Sequence, residues 1–216
     1  LYSRLWAPFA LRKLTKVFAI STNDFHRFSR LSPIQNVLYS HNPVVMNPFN
    51  VNPYLHPKSL RHWLYWGRAS SNKNLLGLLE FVKFMNNSNV YISLNICSRD
   101  SLRQLQIFAN DNYLDNVSFF EKPTDETIAR LISSSAVFVL PSTYEGFGLS
   151  LVEAASSGLI PIFNDISPIN KLFANDIGLA LDFTNHLGAV QSFLSYERSF
   201  LQNPDISHVI NSCSSY

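Results

Sequence analysis

From residue 60 onward, short apolar runs alternate with amphipathic stretches of helical length, and this alternation constrains the fold more than any other feature of the chain. Trp63–Trp66 reads as a strand, and Asn74 to Met85 as a helix carrying Leu75, Leu78, Leu79 and Val82 at helical spacing. Val90–Ile96 is a strand, followed by a helix from Ser101 to Asn110 with Leu102, Leu105 and Ala109 on one face. Val117–Phe120 is a strand, and Thr124 opens a helix over Asp125 to Ser134. Ala136–Leu140 reads as a buried strand, and the helix Ser150 to Ser157 ends at Gly158, the favoured residue just past a helix. Ile160–Phe163 is a further strand, and Ser167-Pro168 pairs a cap with a first-turn proline. Such a pattern predicts an α/β fold, a parallel sheet flanked by helices. In that architecture ligands bind beyond the carboxyl ends of the strands. Two places follow strands in this way, Gly67–Lys73 and Pro141–Glu153.

The first 55 residues have a different texture. Leu5 to Lys16 mixes apolar and basic residues, as a helix packed on its own domain or a membrane-surface segment does, and Pro8 interrupts it. Val17–Ile20 is a short apolar run, and Ser21 caps a helix from Thr22 to Arg30. A stretch dense in Pro and Asn follows (Pro43, Pro48, Pro53 and Pro57 among Asn42, Asn47, Asn50 and Asn52) and suits an interdomain crossing. The expected division is therefore residues 1–55 as the tail of one domain plus its linker, and residues 56–216 as a second domain. The chain starts at Leu1 and stops at Tyr216 after a helix-like stretch, which reads as a fragment.

Composition removes several function classes. Hydrophobic residues make up 46% and charged residues 15%, enough for a large core. A net charge of +2 without basic tracts gives no reason to expect nucleic acid. Cys97 and Cys213 form no disulfide framework and favour a reducing compartment. No apolar run is long enough to cross a bilayer. There is no D-x-D pair, no His/Cys cluster with metal-ligand spacing, and no G-x-G-x-x-G after the first regular strand, so no metal and no dinucleotide cofactor is expected. The histidines (His26, His41, His56, His62, His186 and His208) are scattered.

The chemistry sits in the two loops. Glu145-Gly146-Phe147-Gly148-Leu149-Ser150 lies between a buried strand and a helix. Glycines there let backbone approach a ligand closely, and the free N–H groups of the helix opening attract phosphate. Glu145 and Glu153 flank the same crevice and are good acceptors for sugar hydroxyls. Glu153 also completes a Ser150-x-x-Glu153 capping box, so taken alone it reads as a helix cap before a ligand contact. Glu145 reads as a solvated loop charge or a ligand contact. In Gly67-Arg68-Ala69-Ser70-Ser71-Asn72-Lys73, Asn72 caps the next helix and puts Lys73 in its first turn. A cation there opposes the helix dipole; taken alone Lys73 reads as a side chain reaching out into water, and a phosphate held between Arg68 and Lys73 would also remove the conflict.

Glu145 and Glu153, separated by seven residues in PSTYEGFGLSLVEAASSGLIPI, resemble the E-x7-E signature of family 4 glycosyltransferases. Gly67-Arg68 with Lys73-Asn74 resembles that family's phosphate-gripping motif. The resemblance implies a GT-B architecture, two Rossmann-like domains with the active site between them, of which this chain would hold the donor-binding half. Most of the N-terminal acceptor domain and the closing C-terminal helix would be missing. It also implies retention at the anomeric carbon without a metal. Arg68 and Lys73 would hold the diphosphate with backbone N–H groups near Gly148, Leu149 and Ser150, Glu145 would contact the transferred sugar, and Glu153 the ribose. Gly67, Gly146 and Phe147 would complete the donor site, and the base would lie near Phe120 to Pro123.

The sequence departs from the family at three places. Asn47-Pro48-Phe49-Asn50 stands where the family has Asn-Gly-Val-Asp, Cys97-Ser98-Arg99 replaces a glycine-rich turn, and Glu121-Lys122 replaces a glycine before the helix at Asp125. The expected activity is transfer from a nucleotide-diphosphate sugar, GDP-mannose first, to a glycan or lipid-linked acceptor in polysaccharide biosynthesis. The expected setting is the cytoplasm, with peripheral contact at the inner face of the plasma membrane. The alternatives are a nucleotide-sugar epimerase and a non-catalytic truncated remnant.

Overall fold

The computed structural model describes residues 9–19, 22–31, 36–40, 44–54, 59–166, 169–172 and 178–213. The expected caps at Ser21 and Ser167-Pro168, the start of the Leu5 to Lys16 segment, and His41, His56 and Pro57 lie outside these residues. The chain divides into two compact units, Leu1–Pro43 and Val44–Tyr216. In the smaller, residues 9–13 are helical, and β1 (Val17–Ala19) pairs in parallel with β2 (Val37–Tyr39) around the helix α1 (Thr22–Ser29). Val17, Ala19 and Val37 form its core, with Leu11, Phe25 and Phe28 packed against them.

The larger unit is one six-stranded sheet in the order β5-β4-β3-β6-β7-β8, every pair parallel. Its strands are β3 (His62–Trp66), β4 (Ser93–Ser98), β5 (Val117–Glu121), β6 (Val137–Leu140), β7 (Ile160–Asn164) and β8 (Leu179–Leu181). The helices are α2 (Leu75–Asn87), α3 (Arg103–Asp111), α4 (Asp125–Ser133), α5 (Leu149–Ser156), α6 (Ile169–Leu172), α7 (His186–Gln202) and α8 (Ser207–Cys213). β6 and β7 are buried along their whole length, as strands covered on both faces must be. Trp63, Tyr65, Phe81, Phe138, Phe163 and Phe193 are fully buried in its core.

Strand β4 begins three residues later than its apolar pattern suggests. Val90, Ile92, Leu94 and Ile96 do alternate into the core, but the neighbouring strand starts only at His62, which pairs with Ser93. Extended chain before that point has nothing to ladder with. β8 and α7 were not anticipated. The Pro/Asn-rich stretch also differs from expectation, because Val44 to Tyr54 falls within the larger unit. Val44, Phe49 and Val51 pack on its core, and the Asn47 N–H donates to Ser156 Oγ at 2.7 Å.

At the amino edge of the sheet, Arg61 Nη2 donates to Glu197 Oε2 at 2.5 Å and ties α7 to the start of β3. At the carboxyl edge, Lys122 occupies the left-handed region with φ of 49° where β5 turns into α4, and its N–H donates to Ser98 O at 2.7 Å. This is where a glycine is usual in the resembled family, and the backbone keeps the glycine-like conformation without one. Left-handed geometry costs a non-glycine residue about 1–2 kcal/mol, partly offset by the greater entropy glycine loses on folding. Lys122→Gly is therefore expected to stabilise the protein by up to about 1 kcal/mol in urea unfolding. A loss of stability would contradict the strain assignment.

Candidate donor site

The chain adds β4 and β5 on one side of β3, then returns to place β6 on the other. The loops after β3 and β6 therefore diverge from a common point at the carboxyl edge, the position where such sheets bind ligands. Gly67 follows β3 with φ of 154°, and a Cβ there would lie 2.8 Å from the Tyr65 hydroxyl. That hydroxyl donates to Arg68 O at 2.5 Å, which fixes the turn and turns the Arg68 side chain outward, where it is exposed. Burial, and then the nearby Glu145 and Asp100 carboxylates, push the Tyr65 hydroxyl above the usual phenol range. Tyr65 is thus a neutral donor throughout the physiological range.

The two loops are joined directly. Thr143 N donates to Asn72 O at 2.8 Å, and Asn72 Nδ2 to Tyr144 O at 3.2 Å. Lys73 forms an ion pair with Glu145, whose side chains are only 18% and 12% exposed. Ser142 Oγ donates to the same Glu145 oxygen at 2.9 Å. Asn164 Nδ2 donates to Ser142 O at 3.1 Å and anchors the second loop to β7. Glu145 is therefore not a solvated loop charge. It is a half-buried carboxylate held by a cation and a hydroxyl, at the edge of an apolar core.

Two expectations about capping are corrected here. Asn72 does not cap α2: Ser71–Lys73 forms a separate 3-10 turn, and the cap position of α2 is Asn74 in left-handed conformation. Lys73 therefore precedes the helix rather than opposing its dipole, and its charge is met by Glu145. The Ser150-x-x-Glu153 capping box does not form either. Helix α5 starts at Leu149 with Gly148 as its cap at φ of 79°, which puts Ser150 inside the first turn. Among the described residues the N–H groups of Leu149 and Ser150 have no protein acceptor. A Cβ on Gly146 would meet nothing within 4 Å, so this loop leaves room above those donors. Phe147 is buried beneath it.

Released from capping, Glu153 lines a cleft of about 330 Å³ with Trp66, Gly67, Arg68 and Phe49. Burial raises its carboxyl above the ordinary carboxylate value, and a hydrogen bond from Trp66 partly opposes that. Pro48, Cys97, Ser98, Arg99, Pro123, Asp125 and Ile128 line the remainder. Burial pushes the Cys97 thiol up to about 12, so it behaves as a small apolar group. Sequence reasoning placed the base near Phe120 to Pro123 but named neither Asp125 nor the Ser98–Arg99 wall as site residues. Both follow strands directly, and the rule that selected the loops after β3 and β6 applies equally to β4 and β5. Among the described residues no three His, Cys, Asp or Glu side chains converge as metal ligands do.

The chain belongs to the glycosyl transferases group 1, whose family description matches residues 47–206. It is 32% identical over 164 residues to a GDP-mannose:cellobiosyl-diphosphopolyprenol alpha-mannosyltransferase of Xanthomonas campestris, covering 73% of this chain and 42% of that protein. Its fold is similar to S. aureus TarM, with a TM-score of 0.78 at 17% identity over 100% of this chain and 43% of that one. It is also similar to sucrose-phosphate synthase from Thermosynechococcus elongatus, with a TM-score of 0.76 at 19% identity over 97% and 56% of the two chains. The larger unit thus has the C-terminal, Rossmann-like fold of GT-B glycosyltransferases. The chain spans less than half the length of the X. campestris relative.

The Glu153 assignment has a pH signature. A carboxyl raised in the folded state favours folding below its unfolded value near 4.5, and that contribution is lost as pH rises through the higher folded value. At pH 7 the ionised form is thus a cost, and Glu153→Gln removes it. We expect Glu153→Gln to melt at or above the parent temperature at pH 7, with the difference vanishing as pH falls below about 4.5. A large loss at pH 7 would restore a structural role for the carboxylate.

Proposed function

We propose that this chain forms the donor-binding half of a retaining glycosyltransferase that uses a nucleotide-diphosphate sugar without a metal. The observation that carries the reading is the Lys73–Glu145 pair at the point where the β3 and β6 loops diverge, with Arg68 exposed beside it. Arg68 and Lys73 supply the positive charge that a leaving diphosphate requires, and the free N–H groups of Leu149 and Ser150 add neutral donors. Glu145 accepts hydroxyls of the transferred sugar, and Glu153 those of the ribose. Gly67, Gly146 and Gly148 keep the backbone close to the ligand, and Phe147 supports the loop from below. The relatives named for GDP-mannose make it the first donor to test. A second domain would bring a glycan or lipid-linked acceptor to the sugar. The reaction belongs on the cytoplasmic side, with peripheral contact at the plasma membrane. No helix of the described residues is long and apolar enough to cross a membrane. Family membership favours the transferase over the epimerase.

The test is sugar transfer by the intact enzyme. Glu145→Gln is expected to lower turnover by at least about a hundredfold, and a chelator to leave turnover unchanged. Lys73→Ala is expected to weaken donor binding at least about tenfold and, by stranding a half-buried carboxylate, to cost about 1–3 kcal/mol of stability. Normal turnover in Glu145→Gln, or activity that magnesium alone restores, would overturn the reading.

A further inference from the structure

Two demands fall on Lys73. On the donor-site reading it meets a diphosphate, yet in the structure it pairs with Glu145. Both partners of Glu145 meet the same oxygen: Lys73 Nζ and Ser142 Oγ, the latter at 2.9 Å, donate to Oε1. Oε2 has no hydrogen-bond partner among the described residues. A carboxylate held through one oxygen keeps its orientation only as long as its holder stays. We propose that Ser142 is that holder, a positioning residue whose hydroxyl fixes Glu145 through Oε1. Oε2 is thereby kept open to the transferred sugar when a diphosphate draws Lys73 away. The proposal rests on the donor-site reading above.

The two holders differ in kind. Ser142 is fully buried, and its backbone is fixed from β7: Ser142 O accepts from Asn164 Nδ2 at 3.1 Å. Asn164 is itself held, because its Oδ1 accepts from Phe183 N at 3.4 Å beyond the end of β8. A hydroxyl carries one donor, and a buried one needs an acceptor. For Ser142 that acceptor is Glu145 Oε1. Being neutral, the hydroxyl does not respond when a second anion arrives. Lys73 carries three donors on a flexible stem, so it follows the larger negative charge. The cation is thus shared between carboxylate and phosphate, while the hydroxyl belongs to the carboxylate. If Ser142 only packed the loop, removing its hydroxyl would act with or without a carboxylate at 145.

A double-mutant cycle in the intact enzyme tests this, with sugar transfer from GDP-mannose and the affinity for GDP as readouts. Ser142→Ala should lower turnover about tenfold, the worth of a hydrogen bond to a charged group, and leave GDP affinity within about twofold. In a Glu145→Ala background the same substitution should cause no further loss of turnover. Should Ser142→Ala fail to fold, Ser142→Cys, similar in volume but a weak donor, takes its place in the cycle with the same expected pattern. Parent-like turnover in the single variant, an equal loss in the Glu145→Ala background, or a tenfold weaker GDP affinity would overturn the proposal and leave the donor-site reading standing. Parent-like turnover in Glu145→Ala, or a parent enzyme that binds no GDP and transfers nothing from GDP-mannose, would overturn both.

Discussion

The reversal of strand order at β3 is the constraint on which the rest of the site depends. A parallel sheet built outward in one direction only covers each strand end with the next connection. Here the chain runs β3, β4, β5 one way and then crosses to lay β6 on the free side of β3. The loops after β3 and β6 then part from each other, and the residues between them lie at the rim of a buried core. That position lets Lys73 and Glu145 form a half-buried pair without either being enclosed.

Rigidity at this rim comes from the fully buried centre of the sheet. Tyr65 is buried in β3, yet its hydroxyl reaches Arg68 O. Asn164 at the end of β7 holds Ser142, which holds Glu145. Asn72 bonds to both Thr143 and Tyr144. The candidate loops are therefore tied to the core through Tyr65 and Asn164. The second ion pair among the described residues, Arg61 with Glu197, lies at the amino edge and has the simpler task of fastening α7.

Much of this was legible in the sequence, because buried strands leave unbroken apolar runs and because Thr124 and Gly158 mark helix ends by their own chemistry. What local pattern could not show was pairing. The start of β4 is set by where β3 begins, and the short strand β8 has no pattern apart from its neighbour β7. The candidate site was legible as two loops and two glutamates, but the roles of single residues were not. Ser150 and Glu153 fit a capping box by spacing, yet left-handed Gly148 starts the helix one residue earlier. Lys73 fits a first helical turn, yet a 3-10 turn intervenes. Both errors arose where the backbone bends sharply at the carboxyl edge, and in both the structure replaces an assumed local partner with one distant in sequence.

On the proposed reading, the carboxyl edge of the sheet, from β5 across to β6, receives a single extended nucleotide. Backbone amide shifts recorded while a nucleoside diphosphate is added test it most directly. Gly67 and Arg68, Ser98 and Arg99, and Gly148 to Ser150 should move together with one dissociation constant, while residues at the amino edge around Arg61 and Glu197 remain still. Shifts confined to the separate groove that Ser71, Leu76, Arg103 and Phe108 line, or spread evenly over the surface, would show that no such nucleotide site exists.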